Sequence, residues 1–474
     1  MTKLPIAAVV LLGIGAAGLG AWLTMRGAPV AERLDREPAE TSEDESPGPV
    51  VVETDEGLRL GAPAPPQSWA VPAWAPGVAT DEHEGSVAMA YQYAAPVFRS
   101  AREGAPIAGT VRRGTAIPVR GAAFGSGCRR RWYEVEGGFV CSSEGFAVGP
   151  APEERPQHAP DLTQAMPFQY AMVTRRGAPR LYRTPLAEEV ARIRDPEREA
   201  EPEVVQMRMA GDYFVARAAI ETGPGGDWQQ TVRGQYVNRE DLEDLPMPQL
   251  VGEHLEADAL PMAFVYAEDR PLYRVEAGGL VEVGTAAKYA RFHVTDEVEV
   301  DGDAYAVGPD GLAVRRDQVR VAARAPRDER VEGDRWIHVD LDEQVLIAYD
   351  EGEPVYATLV ASGKEGYDTP RGVFRIDKKF LSVTMSGEDP HDGPFEVEEV
   401  PWTMYYWESY ALHGAYWHDA FGQVRSHGCT NLAPADARWL FEWTNPALPP
   451  GFHGYNARRG TWVQLTRASS EGDA

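Results

Sequence analysis

Between Tyr410 and Leu432 two His-Gly pairs bracket a single cysteine, as Tyr410-Ala411-Leu412-His413-Gly414 and then Ser426-His427-Gly428-Cys429-Thr430-Asn431. A thiol attacks carbon as its thiolate, and an ordinary pKa of about 8.5 calls for a base or a positive neighbour near neutral pH. His413 and His427 both supply candidates. Gly428 permits a sharp backbone approach that would expose the sulfur and turn backbone N–H groups outward as an oxyanion hole. Downstream, Pro434 suits a first helical position and Asp436 a first turn, while Ala437, Leu440 and Phe441 recur at helical spacing until Thr444-Asn445-Pro446 stops the run. Such a helix would bring its positive end near Cys429 and favour thiolate. His413 lies sixteen positions upstream of Cys429, at the end of an apolar, aromatic run from Trp402 to Leu412 that predicts a strand. Two other readings remain open at this point. Cys429 could be a small buried hydrophobe. A metal could instead be held by His413, His418, His427 and Cys429, with Asp419, although no close pair such as Cys-x-x-Cys or His-Glu-x-x-His occurs. His418 itself reads as a surface or supporting residue.

These residues resemble the signature of the YkuD-type L,D-transpeptidase catalytic domain: a His-Gly pair, a spacer, then Ser/Thr-His-Gly-Cys, a variable residue and Asn or Arg. The resemblance extends through Trp336-Ile337-His338-Val339-Asp340-Leu341, Gln344 to Tyr349, Ser362-Gly363-Lys364 and Thr369-Pro370-Arg371-Gly372-Val373-Phe374, and covers about residues 334–467. It implies Cys429 as nucleophile and His413 as general base, with the Gly414 carbonyl orienting the imidazole. Backbone amides around Gly428 and Cys429 would hold the oxyanion, and Ser426, His427 and Asn431 would shape the loop. Tyr410 and Trp417 resemble aromatics of the substrate wall, and plain packing aromatics are an equal alternative. The implied substrate is a peptidoglycan tetrapeptide stem. Its terminal D-alanine is released and a crosslink between diaminopimelate residues forms, without metal or organic cofactor. The same dyad could give its thioester to water as a carboxypeptidase or crosslink-cleaving amidase, or the site could be vestigial in a wall-binding scaffold.

Several elements must position this site. A chain of 474 residues is too long for one domain. The formal net charge of −27, with no basic stripe interleaved with aromatics, argues against a nucleic-acid partner and fits a soluble part outside the cytoplasm. Residues 1–27 carry Lys3 and then an almost uncharged run from Leu4 to Met25, expected as a membrane anchor or an export signal. Either places the remainder in the cell envelope, periplasmic or extracytoplasmic, tethered to the cytoplasmic membrane or secreted. Residues 28–85 are acidic and Pro-rich, expected as a disordered linker from which Trp69 and Trp74 dock on the first folded domain.

An internal repeat follows. Tyr91-Gln92-Tyr93-Ala94 with Pro96 to Arg99 recurs as Phe168 to Ala171 with Pro179 to Arg183, and as Phe264 to Ala267 with Pro271 to Arg274. Each copy closes on a glycine turn into a short apolar strand: Gly138-Phe139-Val140, Gly234 to Val237, Gly311 to Val314. Short strands and turns predict three small β modules, at 86–150, 165–247 and 260–322, ahead of the domain at 334–467. The expected fold class is mainly β: a C-terminal β-sandwich with a short helix after Cys429, behind three barrel-like modules. The first module resembles bacterial Src-homology-3-type domains, and the other two resemble them more distantly. Such modules would bind cell-wall peptide or glycan, or act as spacers. Cys128 and Cys141 are candidate disulfide partners in an oxidising compartment, which leaves Cys429 alone. Pro185 to Pro202 reads as a charged helical insertion, and Ala322 to Asp334 as a linker.

Overall fold

The computed structural model describes residues 51–467 apart from 55–56, 71–84, 151–158, 196–199, 278, 391–392 and 457–458. The expected anchor at 1–27 and Trp74 lie outside the described residues, among which no helix is long and apolar enough to cross a membrane.

The C-terminal domain is a sandwich of two sheets. One has the strand order Glu253–His254, Glu353–Leu359, Val345–Asp350, Trp336–Asp340, Trp462–Thr466, Gly372–Arg375. Its inner strands are continuous apolar runs because both faces are covered: Val345, Leu346, Ile347, Ala348 and Tyr349 are all buried. The other sheet holds Lys378–Asp389, Gly393–Trp407, Tyr410–Gly414 and Thr430–Leu432. Between them lies a core that includes Ile337, Val339, Leu346, Trp402, Leu412, Leu440 and Phe441. The helix Pro434–Trp443 starts at its proline and stops at Thr444, as the spacing predicts. Its last carbonyls, at Phe441 and Thr444, accept from the buried Lys379 ammonium at 2.5 and 2.8 Å.

The run from Trp402 to Leu412 is not one strand. A turn at Glu408-Ser409, with Glu408 at φ 47°, folds it into a hairpin, and His413 belongs to the second arm. The aromatic run hides this turn because no glycine or proline marks it.

Upstream stand three small β modules. The first spans strands from Val87–Ala90 to Phe146–Gly149, and a disulfide joins Cys128 to Cys141 within it. In this copy a bend at Gln92-Tyr93 separates the strand Val87–Ala90 from the strand Ala94–Phe98, so the aromatic half of the motif lies between strands rather than on one. The second runs from Gln169–Val173 to Leu242–Asp244 and includes the helix Ala187–Arg194. The third runs from Met262–Val265 to Val319–Ala322.

The modules are not beads on a string. Tyr213 and Phe214 pair in parallel with Glu396 and Val397, and Gly454 pairs with Thr110 of the first module, so the sheet of the C-terminal domain continues into both. Nor is all of 28–85 a linker. Val51–Thr54 and Gly57–Leu60 form a hairpin whose second strand pairs in parallel with Leu58 opposite Gly284 on the third module. Trp69 docks on the C-terminal domain rather than on the first module: the Arg438 guanidinium lies over its ring at 5.2 Å and donates to Ala70 O at 2.8 Å.

Candidate active site

The strands Tyr410–Gly414 and Thr430–Leu432 run parallel, with Leu412 opposite Thr430 and His413 opposite Asn431. Continuing that register places Cys429 opposite Ala411, on the same sheet face as His413. Diagonal neighbours on one face have Cα atoms about 7–8 Å apart, a spacing that an aromatic or long side chain such as an imidazole can bridge. The Ala411 N–H indeed points at the sulfur, and Sγ lies 3.7 Å from Ser409 O. Cys429 is partly exposed and is the one free cysteine among the described residues.

A buried network fixes the turn that carries it. Ser426 Oγ donates to Cys429 O at 2.5 Å and accepts from Gly428 N at 3.0 Å. Thr369 Oγ1 donates to Gly428 O at 2.8 Å and accepts from Gly363 N at 2.9 Å. Gly428 has φ +112°, and a Cβ there would lie 2.7 Å from the Tyr410 ring, so only glycine fits. The Gly428 N–H is therefore engaged by Ser426, which corrects the expectation that this amide points outward as an oxyanion donor. Of that pair, the Cys429 amide remains the candidate.

His413 is buried, and its Nδ1 lies 3.4 Å from Gly414 O, which selects the tautomer with the proton on Nδ1 and leaves Nε2 as the base. Burial pushes this imidazole down to about 4 and the Cys429 thiol up to about 11, the latter eased only in part by the Ala411 N–H. Thiol and imidazole are thus both neutral at pH 7. The expected help from the helix end does not arrive, because the strand Thr430–Leu432 separates Cys429 from Pro434 and the dipole fades within a turn.

The remaining sequence candidates take distinct places. Tyr410 stacks on Trp407 at 5.3 Å and closes over Gly428. Trp417 stacks on His413 at 5.7 Å and meets Phe214 of the second module at 6.3 Å. His427 turns its Nε2 to the buried Asp389 at 2.7 Å and lies flat on Phe395 at 5.0 Å. The Asn431 amide lies 2.9 Å from His418 Nε2, while His418 Nδ1 accepts from Ala420 N at 3.3 Å. The atom facing Nε2 is the Asn431 amide nitrogen Nδ2; with Nδ1 accepting, Nε2 carries the proton, so a hydrogen bond here requires the amide to be turned with its oxygen toward the ring. His418 is buried, not a surface residue. Asp419 is bound by Lys288 Nζ at 2.9 Å and Tyr289 Oη at 3.1 Å of the third module. These histidines and Asp419 diverge, and the described residues contain no His, Cys, Asp or Glu group placed to hold a metal.

Sequence reasoning assigned no role to Thr369 or Asp389, and none to the modules at this site. Thr369 opens the run Thr369-Pro370-Arg371-Gly372-Val373-Phe374, whereas nothing in the residues around Asp389 or Phe214 marks them. The loop between His413 and Ser426 is gripped from both sides: Tyr170 of the second module stacks on Tyr416 at 3.7 Å, and Arg320 of the third donates to Gly422 O at 2.8 Å.

Fold and site together define a cysteine–histidine centre set in one face of a β-sandwich. Residues 334–465 match the family model of YkuD, the L,D-transpeptidase catalytic domain. Solved structures similar to the chain include an L,D-transpeptidase mutant from Enterococcus faecium, at 20% identity over 43% of this chain and 76% of that one, TM-score 0.24. The catalytic domain of the E. faecium enzyme is 28% identical over 28% of this chain and 98% of that one, TM-score 0.23. An L,D-transpeptidase from Mycobacterium smegmatis is 18% identical over 36% and 79%, TM-score 0.23. No curated protein matches the chain.

Proposed function

We propose that the chain is a cysteine-dependent L,D-transpeptidase acting on peptidoglycan tetrapeptide stems. The observation that carries this reading is Cys429 and His413 on one face of paired strands, the base tautomer set by Gly414 O. As the thiol approaches the carbonyl of the diaminopimelate L-centre, His413 Nε2 takes its proton and the sulfur adds to the carbon. The same proton then passes to the departing D-alanine nitrogen, leaving a thioester on Cys429 and a neutral imidazole. A neutral amine from a second stem attacks the thioester, His413 receives its proton, and the proton returns to the sulfur as the new amide bond forms. Because thiol and imidazole start neutral, proton transfer accompanies attack instead of preceding it. In this reading Tyr410, stacked on Trp407, and Trp417, stacked on His413, serve as substrate-wall aromatics, while Ser426, His427 and Asn431 hold the loop through Cys429 O, Asp389 and His418.

The proposed location is the cell envelope, outside the cytoplasmic membrane, with residues 1–27 as anchor or signal. The Cys128–Cys141 bond supports an oxidising compartment. The grip of the second and third modules on the loop around Trp417 favours a packing role for them over free wall-binding spacers. The test is incubation of the chain with purified tetrapeptide muropeptides, read by mass spectrometry. Crosslinked dimer plus D-alanine supports the transpeptidase. Tripeptide monomer alone makes it a carboxypeptidase, and no product with retained binding to insoluble peptidoglycan makes it a scaffold.

A further inference from the structure

Although the chain carries a formal net charge of −27, the stretch between Glu103 and Glu134 contains six arginines and no aspartate or glutamate. Three of them, Arg129, Arg130 and Arg131, lie together in the loop between the first module's strands Ala116–Ala123 and Trp132–Val135. All three are exposed, and none is ion-paired among the described residues, whereas Arg120 is bound to Glu136 at 3.2 Å. At the same tip Phe124 is 104% exposed, the most exposed of the large hydrophobic side chains among the described residues.

This tip is built, not loose. Cys128 is bonded to Cys141 on the neighbouring strand, and Trp132 Nε1 and Glu103 N both donate to Ser126 O at 3.0 Å. The Arg131 N–H reaches Ser142 Oγ at 3.3 Å. At Gly125 a Cβ would collide with Ala101 O at 1.7 Å, so the loop presses against the turn beneath it. A fixed base therefore presents one apolar ring and three guanidinium groups to whatever lies outside.

We infer that the stapled tip from Phe124 to Arg131 is a docking surface for an anionic phospholipid membrane. Guanidinium groups pair with phosphate oxygens at the headgroup level, and an aromatic ring among them enters the apolar layer just beneath. The chemistry favours lipid over a wall polymer for one reason. A glycan stacks on an aromatic platform flanked by hydrogen-bonding groups, whereas Phe124 projects alone with no neighbour against either face. The inference goes beyond the catalytic proposal and does not depend on it, because these residues take no part in the site at Cys429.

The experiment is hydrogen exchange on the full chain reconstituted into phosphatidylethanolamine vesicles containing phosphatidylglycerol, compared with phosphatidylcholine vesicles. Wild type and variants share residues 1–27, so differences between them belong to the tip. Each arginine near an anionic surface is worth roughly fivefold in binding, so three amount to about a hundredfold. Amides from Gly121 to Arg131 are expected to exchange at least about fivefold more slowly on the anionic vesicles alone. The slowing should vanish in the Arg129→Gln, Arg130→Gln, Arg131→Gln variant and weaken in Phe124→Ser. Acyl transfer to soluble muropeptides should stay unchanged in both. Equal exchange on the two vesicle types would overturn the inference, as would slowing by isolated peptidoglycan but not by vesicles.

Discussion

The two neutral groups at the site lead to a sharp expectation for the reactivity of Cys429. Burial lifts its thiol from an ordinary value of about 8.5–9 to about 11, and lowers His413 to about 4. Two units correspond to about a hundredfold less thiolate at pH 7 than an unperturbed thiol would hold. Iodoacetamide alkylation reads that population, and with Cys128 and Cys141 joined, Cys429 is the one free thiol among the chain's three cysteines. The rate, followed by intact mass between pH 6 and pH 10, should climb about tenfold per pH unit without a plateau. Glutathione measured alongside levels off near its own pKa. The shape of the curve matters more than the absolute rate, because partial burial slows any reagent. His413→Ala should change the curve little, since no ion pair is present to lose. A plateau below pH 8 that disappears in His413→Ala would refute the reasoning: it would mean a preformed thiolate–imidazolium pair, with a charge pairing that outweighs burial.

Other expectations follow from the same packing. Thr369→Val keeps the shape but strands Gly428 O and Gly363 N in a buried setting, so a loss of about 1–3 kcal/mol in denaturant unfolding and slower thioester formation are expected. Phe214→Ala removes the support behind Trp417 and thus behind His413. The expected result is a fall in kcat of about tenfold or more, with the acid limb of the pH profile moving up as water reaches the imidazole and Phe214→Leu restoring most of the rate; unchanged kinetics would remove the second module from the site. Glu398, fully buried under the second module, accepts from Ala216 N at 3.1 Å and is pushed up to about 7 from 4.5 by burial. Its folded value lies above the unfolded one, so its contribution is most favourable below about pH 4.5 and is lost as pH rises toward 7. Glu398→Gln should accordingly raise the melting temperature at pH 8 more than at pH 5, by up to about 3 kcal/mol of stability; a larger gain at pH 5 would contradict the assignment.

What the sequence made legible is local. The spacing around His413 and Cys429, the proline that opens the helix at Pro434 and the thirteen-residue separation of Cys128 and Cys141 each leave a mark within a few residues. What it concealed depends on distant partners. The hairpin turn at Glu408 sits in an aromatic run without a breaker, and its left-handed backbone is tolerated by a glutamate. Residues 57–60 look too poor in apolar surface to fold, yet an edge of the third module offers them a ladder. The competition for the Gly428 N–H was decided by a side chain two residues away, Ser426, which sequence spacing alone does not orient. The merging of module sheets with the sheet of the C-terminal domain, and through it Phe214 behind Trp417, rests on pairings across more than a hundred residues.

In the proposed reaction Cys429 carries the acyl group. The most direct test is intact-mass detection of the acyl-enzyme after brief mixing of the full chain with a tetrapeptide stem in the absence of an acceptor amine, followed by acid quench and peptide mapping. The expected result is a mass gain equal to the tripeptide acyl group on the peptide containing Cys429, one D-alanine released per adduct, no adduct in Cys429→Ala, and a much slower one in His413→Ala. D-alanine release that persists in Cys429→Ala, or an adduct mapped to any other residue, would contradict it.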